Sequence, residues 1–206
     1  MELHAPHVRS QSERLMGDGV AGGEEHGLRG QARDHVLMVL DHRRTVADRR
    51  DLPTLGICLG GQLLAHVAGG EVAANTGPVE RGATPIHPTA AGRDDPVIAT
   101  IGDGAPMIEN HQDMITRLPA EAVLLASSDA VAHQAFRLGA HVRGVQFHPE
   151  ASVGDLARWD DAALRGEGRS LPDLIAAAEH VDAHNTAASR RLVDAFADEV
   201  LAGVTA

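Results

Sequence analysis

The 206-residue chain has no lysine and no tyrosine, and only one tryptophan, three phenylalanines and one cysteine. A single cysteine excludes an intrachain disulfide framework and suits a reducing compartment. Without lysine there is no phosphate-binding loop of the Walker type, and the glycines at 17, 19, 22 and 23 follow no strand-like run. All 18 basic residues are arginines, outnumbered by 29 acids, for a formal net charge of −11. That balance repels phosphate backbones and anionic bilayers, so neither nucleic acid nor a membrane is expected as a partner. No apolar stretch approaches the ~20 residues that cross a bilayer, and the start, "MELHAPHVRSQSER", lacks the apolar stretch of a secretory signal. The absences together predict a cytoplasmic protein, and a length of 206 residues predicts one domain with a sizeable core.

What is present changes character near Leu52. The first thirty residues are polar and glycine-rich, and residues 31 to 48 read as a helix with Val36, Leu37, Val39 and Leu40 on one face. "LPTLGI" reads as a short buried strand, and "GGQLLAHVA" as a helix closed by Gly69 and Gly70. "TPIHP" and "PVIATI" are weaker strand candidates; "EAVLLASS" and "VRGVQF" are stronger, with "AHQAF" between them. Beyond Pro149 the pattern predicts helices over roughly 154–166, 171–182 and 185–202, with Ser170 as an N-cap and Pro172 early in its helix. Strands interleaved with helices predict an α/β fold, a sheet with helices on its faces.

The lone cysteine sits in Gly56-Ile57-Cys58-Leu59-Gly60-Gly61-Gln62, where the strand candidate gives way to the helix. Strand, tight turn, helix is the geometry of a nucleophile elbow. It would place Cys58 at the positive end of the helix, which favours the reactive thiolate, with the Leu59 N–H aimed at an oxyanion beside the sulfur. A buried structural cysteine is the competing reading. A thiolate nucleophile calls for a base, and the base for an orienter. "VRGVQFHPEAS" supplies both: His148 follows a strand candidate at the end where α/β sheets present their sites, and Pro149 sets Glu150 two residues on, where its carboxylate can hold the imidazole. His66 and His141 lack such a frame and read as packing or surface residues.

"GICLGGQLLAHVAGGEV" together with "GVQFHPEAS", ninety residues apart from Cys58 to His148, resembles the class I (triad-type) glutamine amidotransferases, and within them the stand-alone, GMP-synthase-like type. The resemblance covers about residues 52 to 202. It implies a flavodoxin-like α/β sheet with flanking helices, and the hydrolysis of the glutamine side-chain amide through a γ-glutamyl thioester. Carried over by residue, it makes Cys58 the nucleophile, His148 the general base and acid, and Glu150 its orienter. Leu59 would supply an oxyanion N–H, and Gln62 would help hold the substrate. His111 and Asp113 match an H-x-D element near the family's site, with no chemistry assigned to them. No cofactor and no metal are implied.

Fewer residues precede the nucleophile than the family usually carries, so the family's first strands are expected to be missing or atypical. The nearest text to its Gly-Gly-Pro-type oxyanion loop is "LMGDGVAGG", where Met16-Gly17-Asp18-Gly19 reads as a glycine-rich surface segment. Residues 1–50 are therefore expected to form an atypical, partly flexible part of the domain, and 51–206 its amidotransferase core with C-terminal helices. His180 and His184 stand four apart on a predicted helix without a third ligand and read as a solvated face. The chain contains no ATP-binding or synthetase domain, so ammonia would pass to an acceptor on another chain. Two alternatives use or lose the same residues: hydrolysis of other γ-glutamyl amides or peptides, and a catalytically impaired homologue serving as a binding subunit.

Overall fold

A computed structural model describes residues 52–74 and 77–204. The helix expected over 31–48, the Met16–Gly19 segment and the other expectations for residues 1–50 lie outside the described residues. Strand β1 (Thr54–Ile57) enters at once into helix α1 (Leu59–Val67), as the apolar run followed by the helical pattern predicts. Then come β2 (Glu71–Ala74), the nine-residue β3 (Glu80–Pro88), a short α2 (Ala90–Asp94) and a 3-10 turn at Ile98–Ile101. Strands β4 (Ala105–His111), β5 (Asp113–Arg117), β6 (Val123–Ser127), β7 (Ala135–Leu138) and β8 (Val142–Val145) follow. Helices α3 (Val153–Leu156), α4 (Asp161–Gly166) and α5 (Leu171–Val204) end the described chain.

Among the described residues, six strands form a mixed sheet in the order β1-β8-β7-β6-β3-β4. Of these pairings only that of β1 and β8 is parallel, in a register that sets Ile57 opposite Val145. Strands β2 and β5 make a separate antiparallel pair. The α/β class with flanking helices is thus the one expected. Ile86, Ile98, Met107, Leu125, Val145, Phe147 and Leu192 meet in the main core, which joins the sheet to the second half of α5. Ile108, Leu156 and Ala178 form a smaller cluster under α3 and the first half of α5.

Three expectations are corrected. "PVIATI" is not a strand: Asp95 Oδ1 accepts the N–H groups of Val97 and Ile98, both at 3.1 Å, which caps a 3-10 turn before any extended run can form. The helices expected at 171–182 and 185–202 are one helix of 34 residues. Asn185 falls on its inward stripe, where a polar residue looks like a break. Its side-chain amide instead donates to the Pro106 carbonyl at 2.9 Å, so the helix runs on. Ser170 stands at the helix start as expected, its Oγ 3.4 Å from the Asp173 N–H. The pattern expected over 154–166 is two short helices, because Asp160 caps the second with bonds to the Ala162 and Ala163 N–H groups. Strands β2, β4 and β5 have no counterpart among the strands expected from the sequence.

The same Asp95 carries a second load. Arg143 of β8, wholly buried, donates through Nε to Asp95 Oδ1 at 2.9 Å and through Nη1 to Glu199 Oε2 of α5 at 2.8 Å. The pair ties the 3-10 turn, the sheet and the long helix together. Truncating one partner of a buried pair leaves an uncompensated charge. Arg143→Met is therefore expected to destabilise the protein by about 3–5 kcal/mol, as read by denaturant unfolding.

Candidate active site

The elbow begins in close packing. A Cβ on Gly56 would meet the Gly60 carbonyl carbon and oxygen at 2.7 Å, and one on Gly61 would meet the Val145 carbonyl oxygen at 2.7 Å. Glycine at both positions lets α1 lie directly on β1 and β8. Cys58, between them, has φ of 48°, and it is the one non-glycine residue with positive φ among the described residues. Such backbone costs of order 1–3 kcal/mol and persists where surrounding contacts impose it. Here the imposing contact is the Cys58 N–H bonded to the Val145 carbonyl at 2.8 Å. Cys58 is also the residue at the N-cap position of α1, so the first helical N–H groups, Leu59 included, have no partner within the helix. The Leu59 side chain itself is exposed.

His148 and Glu150 come to this point from the segment after β8. The His148 N–H bonds to the Ile108 carbonyl at 2.8 Å, fixing the segment to β4. Its Nδ1 lies 2.7 Å from Glu150 Oε1. Its Nε2 is buried with no conventional partner. Burial pulls the imidazole toward the neutral form, but the Cys58 sulfur and the Glu150 carboxylate together outweigh it and push its pKa up to about 10. Glu150 is half-exposed; burial opposes its charge, yet the bond to His148 holds it below the usual carboxylate range. The three side chains thus bring together the Cys58 sulfur, an imidazole favoured as imidazolium, and a carboxylate favoured as its anion that fixes the ring.

Gln62 is buried, and its Nε2 donates to the Asp113 carbonyl at 2.7 Å and to Gln146 Oε1 at 3.1 Å. A substrate contact from Gln62 would therefore use its carbonyl oxygen. Gln146, equally buried, places its own Nε2 at 3.5 Å from Cys58 Sγ. His111 and Asp113 lie at the β4–β5 junction. There Arg81 Nη1 donates to the His111 carbonyl at 2.8 Å, and Glu167 accepts from both Arg81 and Gln112. His66, His180 and His184 are exposed, and the half-exposed His141 pairs with Glu199 at 2.6 Å, so none joins the site.

Sequence reasoning misses a buried polar layer between β3, β4 and β6. Glu80 accepts from Ser128 Oγ at 2.6 Å, Gln134 Nε2 at 2.5 Å and His111 Nε2 at 3.0 Å. Glu109, with no exposed surface, approaches His111 Nε2 only to 3.7 Å, and neither of its oxygens has a hydrogen-bond partner. Burial, with the charges of Glu80 and Cys58 behind it, raises its proton affinity well above the carboxylate range. The only sequence signal is the alternation Met107, Glu109, His111 on one face of β4, which sets charged residues where an apolar strand face belongs.

Glu80, Glu109 and His111 bring one ligand atom each to within 4.8 Å of one another, a spacing that a metal ion can bridge. Their bonding suits a proton better. Glu80 already takes three donors, and ligation through His111 Nε2 would leave a buried Nδ1–H with no acceptor, since Nδ1 has no partner.

Two outcomes follow. Imidazole titration by NMR should show His148 protonated far above neutrality, with its midpoint dropping toward the ordinary histidine value in Cys58→Ala. Glu109 keeps its proton in the fold more tightly than in the open chain, so the native state is penalised progressively as pH rises past the carboxylate range. Glu109→Gln, a neutral isostere, should therefore match the wild type in stability near pH 4. By pH 8 it should exceed the wild type by about 1–3 kcal/mol, the scale of one buried unpaired polar group. Denaturant unfolding at the two pH values measures it.

The model of the family "Glutamine amidotransferase class-I" matches residues 31–158. The chain is 41% identical over 103 residues to the GMP synthase [glutamine-hydrolyzing] of Porphyromonas gingivalis, a match covering 50% of this chain and 20% of that protein. It is 35% identical over 106 residues to a GMP synthase [glutamine-hydrolyzing] subunit of Methanococcoides burtonii, covering 51% and 54%. The chain therefore spans between a fifth and about half of the length of these two relatives. Its fold is that of a glutamine amidotransferase from Thermotoga maritima, with a TM-score of 0.67 at 24% identity over 85% of this chain and 75% of that one. A glutamine amido transferase from Methylobacillus flagellatus aligns with a TM-score of 0.58 at 24% identity, over 77% and 69%. The family match spans more than half the chain and contains the elbow, the imidazole and the carboxylate, and on it the chain belongs to the class I glutamine amidotransferases.

Proposed function

We propose that this chain hydrolyses the side-chain amide of glutamine, with Cys58 as nucleophile. One observation carries the reading: a cysteine held at positive φ on a strand–helix junction, facing an imidazole whose other nitrogen is bonded to a carboxylate at 2.7 Å. The Cys58 thiolate attacks the amide carbon, and the oxygen takes up negative charge toward the Leu59 N–H. His148, already an imidazolium, gives its proton to the departing nitrogen, and the carbon–nitrogen bond breaks to leave ammonia and a γ-glutamyl thioester. The neutral ring then takes a proton from water as it attacks the thioester. Glutamate leaves and the thiolate returns, while Glu150 keeps the ring oriented throughout.

The ammonia is taken to serve an acceptor enzyme on a separate chain. Two facts support this: the Methanococcoides burtonii relative is named as one subunit of a GMP synthase, and the match to the longer GMP synthase of Porphyromonas gingivalis covers a fifth of its length. Residues 51–206 would carry the amidotransferase chemistry, and 1–50 the N-terminal part of the same domain. A free thiol as nucleophile suits the reducing cytoplasm.

Cys58→Ala should abolish ammonia release from glutamine. His148→Ala should lower it by about 10²–10⁴-fold, and Glu150→Gln by less, because the base remains though its orientation suffers. A diazo-ketone analogue of glutamine should label Cys58, with free glutamine protecting it. Labelling indifferent to glutamine, together with turnover of another γ-glutamyl amide in a substrate panel, would replace glutamine as the substrate. No turnover of any γ-glutamyl compound would leave a binding subunit.

A further inference from the structure

The orientation of two buried glutamine side chains can be fixed from one end. A backbone carbonyl only accepts hydrogen bonds. Asp113's carbonyl oxygen, 2.7 Å from the end of the Gln62 side chain, therefore faces the amide nitrogen of Gln62. That nitrogen has a second N–H, and the group it meets at 3.1 Å must accept, so Gln146 turns its oxygen to Gln62. Nothing then remains for Gln146 to present to Cys58 Sγ, at 3.5 Å, but its own N–H group. Gln62 and Gln146 are 5% and 1% exposed, so water has little access to reverse this order. The relay runs one way, from the Asp113 carbonyl through two amides to the sulfur.

A donor at that place discriminates between the forms of the cysteine. A thiol has a proton of its own to place, and a thiolate has only lone pairs, so a fixed N–H favours the thiolate. We propose that Gln146 is a catalytic residue of this site, its side-chain amide donating to the Cys58 sulfur, and that Gln62 is the positioning residue that fixes which end of that amide faces the sulfur. The assignment rests on Cys58 being the nucleophile. It also bears on the second half of the reaction. When water adds to the thioester, the carbon–sulfur bond breaks and its electron pair returns to sulfur. The Gln146 N–H bond strengthens as that charge develops, which is the kind of interaction that accelerates a step. His148 takes up the proton of the attacking water, and no further reactant is needed.

The chain's one cysteine makes the test direct. Alkylation by iodoacetamide, followed by intact mass across a pH series, reports the thiolate without any need for turnover. Gln146→Met keeps the side-chain length and removes the donor. Its profile should move about one pH unit upward, an alkylation rate about tenfold lower on the rising, acid limb of the profile. Gln62→Met frees the Gln146 amide to rotate and should displace the profile the same way by less. The unaltered protein gives an independent reading: with ¹⁵N-labelled glutamine, the Gln146 side-chain amide resonance should shift when Cys58 titrates and again when it is alkylated. A folded Gln146→Met protein whose profile overlays the wild type overturns the proposal, as does an amide resonance that ignores the state of Cys58. Glutamine hydrolysis measured in parallel separates the two readings. Displaced profiles without any glutaminase activity in the wild type sink the proposed function and leave Gln146 as the donor to the sulfur; glutaminase activity with undisplaced profiles does the reverse.

Discussion

The hydrogen bond from the Cys58 N–H to the Val145 carbonyl, 2.8 Å long, is the constraint on which the rest of the site depends. It extends the parallel pairing of β1 and β8 by one residue past Ile57. In doing so it forces the chain to turn into α1 with positive φ at a residue that is strained by it. The same bond fixes where β8 ends. Gln146 and His148 leave the sheet beside the sulfur, one through its amide and the other through its imidazole. A cysteine one residue earlier would lie in the strand. One residue later it would belong to α1, with its backbone N–H at the helix start and no tie to β8.

Two cross-links hold that junction against the remainder of the molecule. On the site's side, the His148 N–H bonds to the Ile108 carbonyl and the Gln146 N–H to the Gln134 carbonyl, which joins the segment after β8 to β4 and to the turn before β7. At the start of β8, Arg143 binds Asp95 and Glu199, anchoring the strand to the 3-10 turn and the long helix. Strand β8 is only four residues long. Its ladders to β1 and β7 are supplemented by these bonds at its two ends, one set polar and buried, the other charged and buried. Buried polar groups with fixed partners specify geometry more sharply than apolar contacts of the same size.

Much of this was legible in the sequence, and the limits have physical causes. The elbow and the His148–Glu150 pair each lie within a few consecutive residues, and local chemistry constrains them: glycines where a helix must touch a strand, a proline between imidazole and carboxylate. Strand β4 was invisible because Glu109 and His111 occupy its inward face, a pattern that local hydropathy reads as surface. The 3-10 turn at Ile98–Ile101 depends on Asp95, itself held by an arginine 48 residues away. The continuity of α5 depends on Pro106 accepting from Asn185, 79 residues away. Gln146 lay in plain view between Val145 and Phe147. Its part at the sulfur follows only from the bonds that orient it, and those come from α1 and from the Asp113 carbonyl.

Two carboxyls border the Cys58–His148 pair, and their environments drive them apart. Glu150, half in solvent and bonded to the imidazole, stays ionised and favours the imidazolium. Glu109, sealed beneath the site with Glu80 as its neighbour, holds its proton. If both were charged, the thiolate would face a second negative charge from below, in a region with little water to screen it. If neither were, the imidazole would lose one of the two partners that together outweigh its burial. The pair is served by one charged carboxylate at its open side and one neutral carboxyl behind it. Placement in the fold, rather than residue type, decides which is which.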